Sequence, residues 1–252
     1  MDWSAYVIAI AGSAIAGAIN TLAGNGSAIT LTILTEVLGL PPTLANGTNR
    51  VGVFTQSAAS TFAFYRNGRL DLSHSKIYIA FTLVGAVAGA LLATVVSNDQ
   101  FRGVFRFLMV FMLLVTLVKP SRWLRETEAP AKPNPWIAGP LFIGLGFYGG
   151  FIQMGMGIFF LAATVLGARF SLIDANVMKS VIVCFLTLIA IIIFQWRGLI
   201  DWKIGGLMAI GQTIGGYYTA RFASRYPKAN LWAYRLLILM IIIAILMLFD
   251  LF

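Results

Sequence analysis

Two long stretches, Trp3 to Thr35 and Trp136 to Ala168, contain no charged side chain. A straight membrane-crossing helix needs about 20 apolar residues. Each stretch is too long for one straight span of that kind. Both are also interrupted from within. The first has small residues through its middle (Gly12, Ala14, Ala16, Gly17, Ala18), then Asn20 and the break Gly24-Asn-Gly-Ser27. The second is broken at Gly149-Gly150 and at Met154-Gly-Met-Gly157. Unpaired backbone groups are costly in hydrocarbon, so a helix broken at membrane depth needs protein or a water-filled cavity around the break. Each stretch therefore reads as two packed half-helices joined by a turn. Gly24 and Gly26 supply the freedom for that turn, and Ser27 is placed to cap the second half-helix. Glu36 and Pro41-Pro42 end the first unit at a membrane surface.

Composition agrees with a membrane solvent. Only 11% of the residues are charged and 59% are hydrophobic, with mean hydropathy +0.87. A soluble domain carries about 25% charged residues. The class expected is an all-α, polytopic membrane protein. The net charge of +9 sits on basic residues scattered among short loops, as the positive-inside bias produces, which excludes nucleic acid as a partner. The single cysteine, Cys184, rules out an intramolecular disulfide and reads as a small hydrophobe in a helix. Asp2 and the absence of a basic n-region speak against a cleaved signal peptide. The sequence has no phosphate-binding nucleotide loop, no metal-ligand cluster and no Ser/His/Asp or Cys/His arrangement. No catalytic residue, metal site or cofactor is expected. The one histidine, His74, lies in a basic loop.

The chain divides into two halves. Thr43 to Tyr65 is a span carrying Asn46, Thr48, Asn49, Arg50 and Gln56, and Arg66, Arg69 and Lys76 follow it. Ile77 to Ser97 is a clean span with Gly85 and Gly89 at GxxxG spacing, a close-packing face. Arg102 and Arg106 open a span ending near Val118. Residues 120–135, rich in proline and basic residues, form a cytoplasmic linker between a first transmembrane repeat (1–119) and a second (136–252). The second half then echoes the first. One constant shift places Ala45-Asn46 on Ala175-Asn176, Gly68 and Asp71 on Gly198 and Asp201, and Gly85 on Gly215. Arg106 meets Arg235 a single position away from that register. Several coincidences in order point to an internal duplication.

If each broken, charge-free unit is a hairpin that returns to its starting side, each half adds three full crossings. The halves are then inverted relative to each other. With the N-terminus outside, the loops at 66–76, 119–135, 168–179 and 221–230 lie inside, and these hold most of the Lys and Arg.

Polar and ionisable groups inside a bilayer are functional-site candidates by default. Arg50 lies about two turns into its span, and Lys179 lies at similar depth in the other half. Two cations converging on glycine-rich breaks make an anion site, with half-helix N-termini adding partial positive charge. Asn20, Thr21, Asn25, Ser27, Asn46, Thr48, Asn49, Gln153 and Asn176 supply hydrogen-bonding groups, and Gly24, Gly26, Gly155 and Gly157 shape the hairpin tips. The plainer readings are that Arg50 and Lys179 snorkel to the nearest interface and that the asparagines glue helices together. Glu36 is a candidate proton-coupling carboxylate, although its place near a surface suits a solvated glutamate better. Met154 and Met156 are candidates to line a pore for a soft sulfur species or, more simply, to fill gaps.

At these residues the sequence resembles the TauE/SafE family, the sulfite-exporter family of bacterial membrane permeases. The resemblance rests on Ala16-Gly-Ala-Ile-Asn-Thr-Leu-Ala-Gly-Asn-Gly-Ser27, Leu40-Pro-Pro42 and Ala45-Asn-Gly-Thr-Asn-Arg50. The second half adds Gly146-Phe-Tyr-Gly-Gly-Phe-Ile-Gln-Met-Gly-Met-Gly157 and the element from Ala175-Asn176 to Lys179. It covers essentially the whole chain in order. The family pattern usually has glycine where this chain has Asn25 and Gln153, both at hairpin tips. The resemblance implies secondary transport of small anions, such as sulfite or organosulfonates, across the bacterial inner membrane. The partners expected are a small anionic substrate, a proton or sodium ion as coupling ion, and the lipid bilayer. An anion channel on the same scaffold and a non-transporting membrane partner protein are the alternatives. The oligomeric state is not legible.

Overall fold

The computed structural model describes residues 3–71, 76–95, 135–151, 153–167 and 169–226, with short pieces between 228 and 242. All regular structure among them is helical. Helix α1 (Trp3–Leu22) ends at the glycine break. Helix α2 (Gly26–Thr32) continues as a π-helical turn, Ile33–Val37. A side-chain carbon at Gly26 would strike the Ala16 carbonyl, and Ile33 lies over Gly12. The second half-helix therefore runs back along the first. The first charge-free unit is a bent hairpin.

Helix α3 (Pro42–Arg66) follows, then α4 (Lys76–Ala93). Helix α5 (Pro135–Phe151) and helix α6 (Met156–Ala162), with its π-helical turn Ala163–Gly167, make the second hairpin. The Tyr148 ring meets Phe159 edge-on at 5.3 Å, and Phe142 meets Phe160 at 5.7 Å. Helices α7 (Leu172–Trp196) and α8 (Trp202–Arg225) complete the described bundle. The span from Arg102 to Val118, the linker before Pro135, His74 and most of the run from Leu231 to Phe249 lie outside the described residues.

Local chemistry sets the helix starts. Pro42 opens α3, where its missing N–H has no intrahelical partner to lose. Ser171 caps α7, its Oγ accepting from Asp174 N at 3.1 Å, and Asp201 caps α8 by accepting from Ile204 N at 3.0 Å. These are ordinary N-cap bonds to the third residue of the helix.

The register that relates the sequence halves recurs in the backbone. Helices α3 and α7 are both 25 residues long. The shift that aligns the sequence halves also aligns their first residues, Pro42 with Leu172, and the starts of the π-helical turns, Ile33 with Ala163. After each π-helical turn an amide reaches back six residues. Leu40 N donates to Leu34 O at 2.9 Å, and Phe170 N donates to Thr164 O at 3.2 Å. Left-handed residues recur in the same register: Gly39 (φ 68°) with Arg169 (φ 64°), and Gly68 (φ 68°) with Gly198 (φ 65°). A single position away from it, Gly24 (φ 79°) is matched by Gln153 (φ 62°).

Helix pairing follows the same rule. Helix α1 packs on α8 and α5 on α4; α3 packs on α8 and α7 on α4; α3 and α7 pack on each other. Glycines set the closest of these contacts. A Cβ at Gly85 would strike the Ile143 carbonyl oxygen, and one at Gly215 would strike the Ala14 oxygen. Contacting residues rise together in number along α1 and α8 (Ile10 with Gly211, Ala18 with Gly215) and along α4 and α5 (Thr82 with Gly146, Ala90 with Gly150). These pairs are parallel. Helices α3 and α7 run in opposite directions, with Gly47 beside Phe194.

The bundle is apolar outside and polar within. Val7, Ile15, Val84, Ile137, Phe185 and Ile192 are exposed, whereas Thr21, Asn49, Arg50, Gln56, Ser60 and Lys179 are buried. Water favours the reverse distribution, and lipid favours this one. Helices α4 and α7 are long and apolar enough to cross a membrane. At 1.5 Å per residue, α3 extends about 37 Å, more than the roughly 30 Å hydrocarbon core. Helix α3 carries its polar residues on the face turned into the bundle.

Candidate functional site

The tips of the two hairpins touch backbone to backbone. A Cβ at Gly24 would lie 2.5 Å from the carbonyl carbon of Gly157, and one at Gly157 would lie 2.5 Å from Gly24 Cα. Only glycine at both positions allows this approach.

Behind each tip a helix stops inside the bundle. Its last carbonyls have no intrahelical partner, and its end carries partial negative charge. In each case a cation from the other half of the chain fills the gap. Arg50 on α3 reaches the end of α5: its Nη1 donates to Gly149 O at 2.8 Å, and its Nη2 donates to Gly150 O at 2.9 Å and Phe151 O at 3.4 Å. Lys179 on α7 reaches the end of α1: its Nζ donates to Asn20 O at 2.7 Å, Thr21 O at 3.0 Å and Asn176 Oδ1 at 2.5 Å. An asparagine supports each cation. Asn46 Nδ2 donates to Phe151 O at 3.4 Å, and Asn176 Nδ2 donates to Leu22 O at 3.0 Å. Neither cation snorkels. Arg50 is fully buried and Lys179 is 3% exposed. The Phe194 ring lies 5.4 Å from the Arg50 guanidinium carbon, within cation–π range.

Beside Lys179 and the touching tips lies a hollow of about 10 Å³, room for about one water. Of the residues expected at the site, Asn20, Gly24, Ser27, Gln153, Gly157 and Lys179 line it. Gln56, Ser57, Met156, Ser180 and Val183 also line it. Gln56 ties the wall together. Its Oε1 accepts from Asn20 Nδ2 at 2.7 Å, and its Nε2 donates to Thr21 Oγ1 at 2.9 Å and Ser60 Oγ at 3.1 Å.

The remaining expected residues sit around the hollow without lining it. Thr21 donates to Gly17 O at 2.9 Å. Gly26 begins α2 against α1, and Gly155 (φ 75°) is the N-cap of α6. Thr48 Oγ1 accepts from Asp201 N at 2.9 Å, holding the α7–α8 turn. Asn49 Oδ1 accepts from Thr30 Oγ1 at 2.6 Å, tying α3 to α2. Arg50, Asn46 and Asn176 serve the helix ends. Glu36 is exposed. Met156 faces the hollow, while Met154 packs against the apolar core and its carbonyl accepts from Tyr148 Oη at 2.9 Å.

Several buried polar atoms here have no hydrogen-bond partner among the described residues: both ends of the Asn25 and Gln153 carboxamides, Asn49 Nδ2, Arg50 Nε and Gln212 Nε2. Each such group costs about 1–3 kcal/mol when left unsatisfied. They gather at the hairpin tips and on the facing surfaces of α3 and α8. Gln153 is also held at φ 62°, a region that disfavours residues with a side chain.

Gln56, Ser57 and Ser180 went unassigned from sequence, yet their signal is present. Asn49, Gln56 and Ser60 follow a 7-then-4 spacing on α3, and Asn176, Ser180 and Thr187 follow a 4-then-7 spacing on α7. Either spacing keeps a polar stripe on one helix face.

Comparison with known proteins agrees with this architecture. Residues 9–248 match the family model described as Sulfite exporter TauE/SafE. A probable membrane transporter protein of Sinorhizobium sp. is 30% identical over 217 residues, covering 86% of this chain and 80% of that protein. A probable membrane transporter protein of Escherichia coli is 30% identical over 213 residues, covering 84% and 76%. One from Haemophilus influenzae is 26% identical over 215 residues, covering 85% and 83%. No solved structure gives a significant match.

Proposed function

Since the chain belongs to the sulfite exporter TauE/SafE family, we propose that it is a membrane transporter acting as a secondary carrier of small anions, chiefly sulfur-containing oxyanions or organosulfonates. One observation carries the reading. A small hollow lined by Asn20, Ser27, Gln56, Gln153 and the buried cation Lys179 lies where two broken helices meet inside a bundle with an apolar exterior. Carriers built from repeats place their substrate sites at such breaks near the bilayer midplane. Lys179 supplies the positive charge. The amides of Asn20 and Gln153 and the hydroxyl of Ser27 supply hydrogen bonds. The first turns of the half-helices supply partial positive charge.

The halves 1–119 and 136–252 form inverted repeats, a reading favoured by the opposed directions of α3 and α7. Rocking of one half against the other, with the touching glycine tips as the moving contact, alternates access to the hollow. The hollow has room for about one water, about 10 Å³, so a larger anion enters only when the tips move, as a carrier requires; a channel needs a continuous path. The helix-end carbonyls that can hold a coupling sodium in carriers are occupied here by Arg50 and Lys179, which favours a cycle without sodium. The protein is multi-pass in the bacterial inner membrane, with its N-terminus outside.

The test is counterflow of labelled sulfite into proteoliposomes of purified protein. Saturable uptake driven by trapped sulfite is expected. Conductance without saturation supports the channel, and no movement of sulfite or any sulfonate removes the carrier reading.

A further inference from the structure

This inference rests on the carrier reading and adds the kind of anion the hollow takes. Among the described residues lining the hollow, Lys179 is the one charged side chain. Its three N–H groups already meet three acceptors, so in this state it offers the hollow charge rather than a free hydrogen. Ser57 gives its hydroxyl hydrogen to Phe54 O at 3.0 Å, and Ser180 gives its own to Asn176 O at 2.9 Å. Both bonds lie within a single helix, so widening of the hollow leaves them intact. Ser57 also meets the Cys184 thiol, so it is the Ser180 oxygen that presents a lone pair rather than a hydrogen. Gln56 has both amide hydrogens and its oxygen engaged with protein.

Gln153 stands apart from them. It is 6% exposed, lines the hollow, and neither end of its carboxamide has a hydrogen-bond partner among the described residues. A carboxamide brings two N–H donors and one acceptor oxygen. The wall thus combines one positive charge, hydrogen-bond donors on Gln153, Asn20 and Ser27, and acceptors from Gln153 and Ser180. A bare dianion brings two negative charges to one positive, and no hydrogen for those acceptors. A monoanion with an O–H of its own satisfies charge and hydrogen bonds together.

We propose that Gln153 selects for a monovalent oxyanion carrying its own O–H donor, either the acid's remaining proton or a hydroxyl on a neighbouring carbon. The amide N–H groups bind an anionic oxygen, and Oε1 accepts the ligand's O–H. This makes Gln153 a specificity-determining residue of the site.

The experiment is competition against labelled sulfite uptake in proteoliposomes of the full chain. Three probes are used: 2-hydroxyethanesulfonate, ethanesulfonate and ethane-1,2-disulfonate. In the unaltered protein the hydroxylated probe is expected to compete about five- to tenfold better than ethanesulfonate, the worth of one neutral hydrogen bond, and the disulfonate least. Gln153→Gly, which accepts the left-handed backbone, is expected to raise the KM for sulfite about five- to tenfold, with uptake still measurable at saturating sulfite, and to bring the two monoanions within about twofold of each other. Equal competition by all three probes, competition by none, or an unchanged preference in Gln153→Gly overturns the assignment while sulfite uptake upholds the carrier. Absence of sulfite and sulfonate movement overturns the carrier reading, and this inference with it.

Discussion

The ammonium of Lys179 donates to the backbone carbonyl of Asn20 over 2.7 Å, across 159 residues of sequence. The bond ties the middle of α7 to the broken end of α1. Arg50 makes the corresponding bonds to the end of α5. Each half thus holds the other's hairpin by its negatively polarised helix end. A motion that parts the hairpins must loosen at least one of these clamps.

The two clamps are expected to differ when removed. Arg50 touches carbonyls and does not line the hollow, so Arg50→Ala leaves two or three buried acceptors unpaired, at about 1–3 kcal/mol each. The expected outcome is a marked fall in melting temperature in detergent. Arg50→Lys restores the charge but not the fork, and it is expected to recover part of the stability with little change in substrate KM. Lys179→Gln, by contrast, is expected to raise KM at least tenfold, because it removes the charge facing the hollow. Thermal unfolding and counterflow kinetics on the same preparations separate the two roles. Equal KM effects at both positions would count against the asymmetry.

Glycines at the tips and glycines in the loops carry different loads. Gly24→Ala is expected to cost about 1–3 kcal/mol from overpacking against Gly157, with about 1–2 kcal/mol more for the left-handed backbone. Gly39→Ala and Gly68→Ala share the left-handed conformation but have open space around them, so only the second cost applies. Transport is expected to be lost in Gly24→Ala and Gly157→Ala and retained in Gly39→Ala and Gly68→Ala. Flux measured at matched protein density in the membrane checks this.

Much of this was legible in the sequence because lipid imposes simple rules. The charge-free runs from Trp3 and from Trp136 are too long to be plain spans, and the Gly24 and Gly155 breaks fall where the runs had to bend. The register that aligns Asn46 with Asn176 reappears in the matched π-helical turns. What the sequence did not disclose was the use of the cations. Arg50 and Lys179 are at similar depth, so both read as anion ligands. Their assignment to helix ends depends on where α1 and α5 stop relative to the opposite half, a long-range fact that no local pattern carries. Gln56 and Ser180 were obscured for a related reason: a polar stripe inside a span declares a face, but not what that face meets.

Hairpin topology has a direct consequence for labelling. Since α2 runs back along α1, Trp3 and Val37 belong on one side of the membrane, and both are exposed. In a Cys184→Ala background, Trp3→Cys and Val37→Cys are expected to react with an impermeant maleimide added outside. Asn67→Cys, at the far end of α3, is expected to react only after the membrane is opened. Labelling of Trp3→Cys and Val37→Cys from opposite sides would make α1 and α2 a single crossing and remove the hairpin from the membrane topology.

Sodium independence follows from the same carbonyls. The unpaired ends of broken helices are the groups that bind sodium in many carriers, and a tethered ammonium competes with that ion for the same oxygens. Three acceptors converge on Lys179 Nζ at 2.5–3.0 Å, and a free cation cannot enter while the ammonium stays. Replacing sodium by choline on both sides of the membrane is therefore expected to leave sulfite counterflow within about twofold, a difference under about 0.5 kcal/mol. Lys179→Ala removes the tether and leaves the carbonyls of Asn20 and Thr21 open to an ion. In that variant any residual flux is expected to rise with sodium concentration. Strong sodium dependence of the unaltered protein would place a coupling ion elsewhere and limit Lys179 to the substrate.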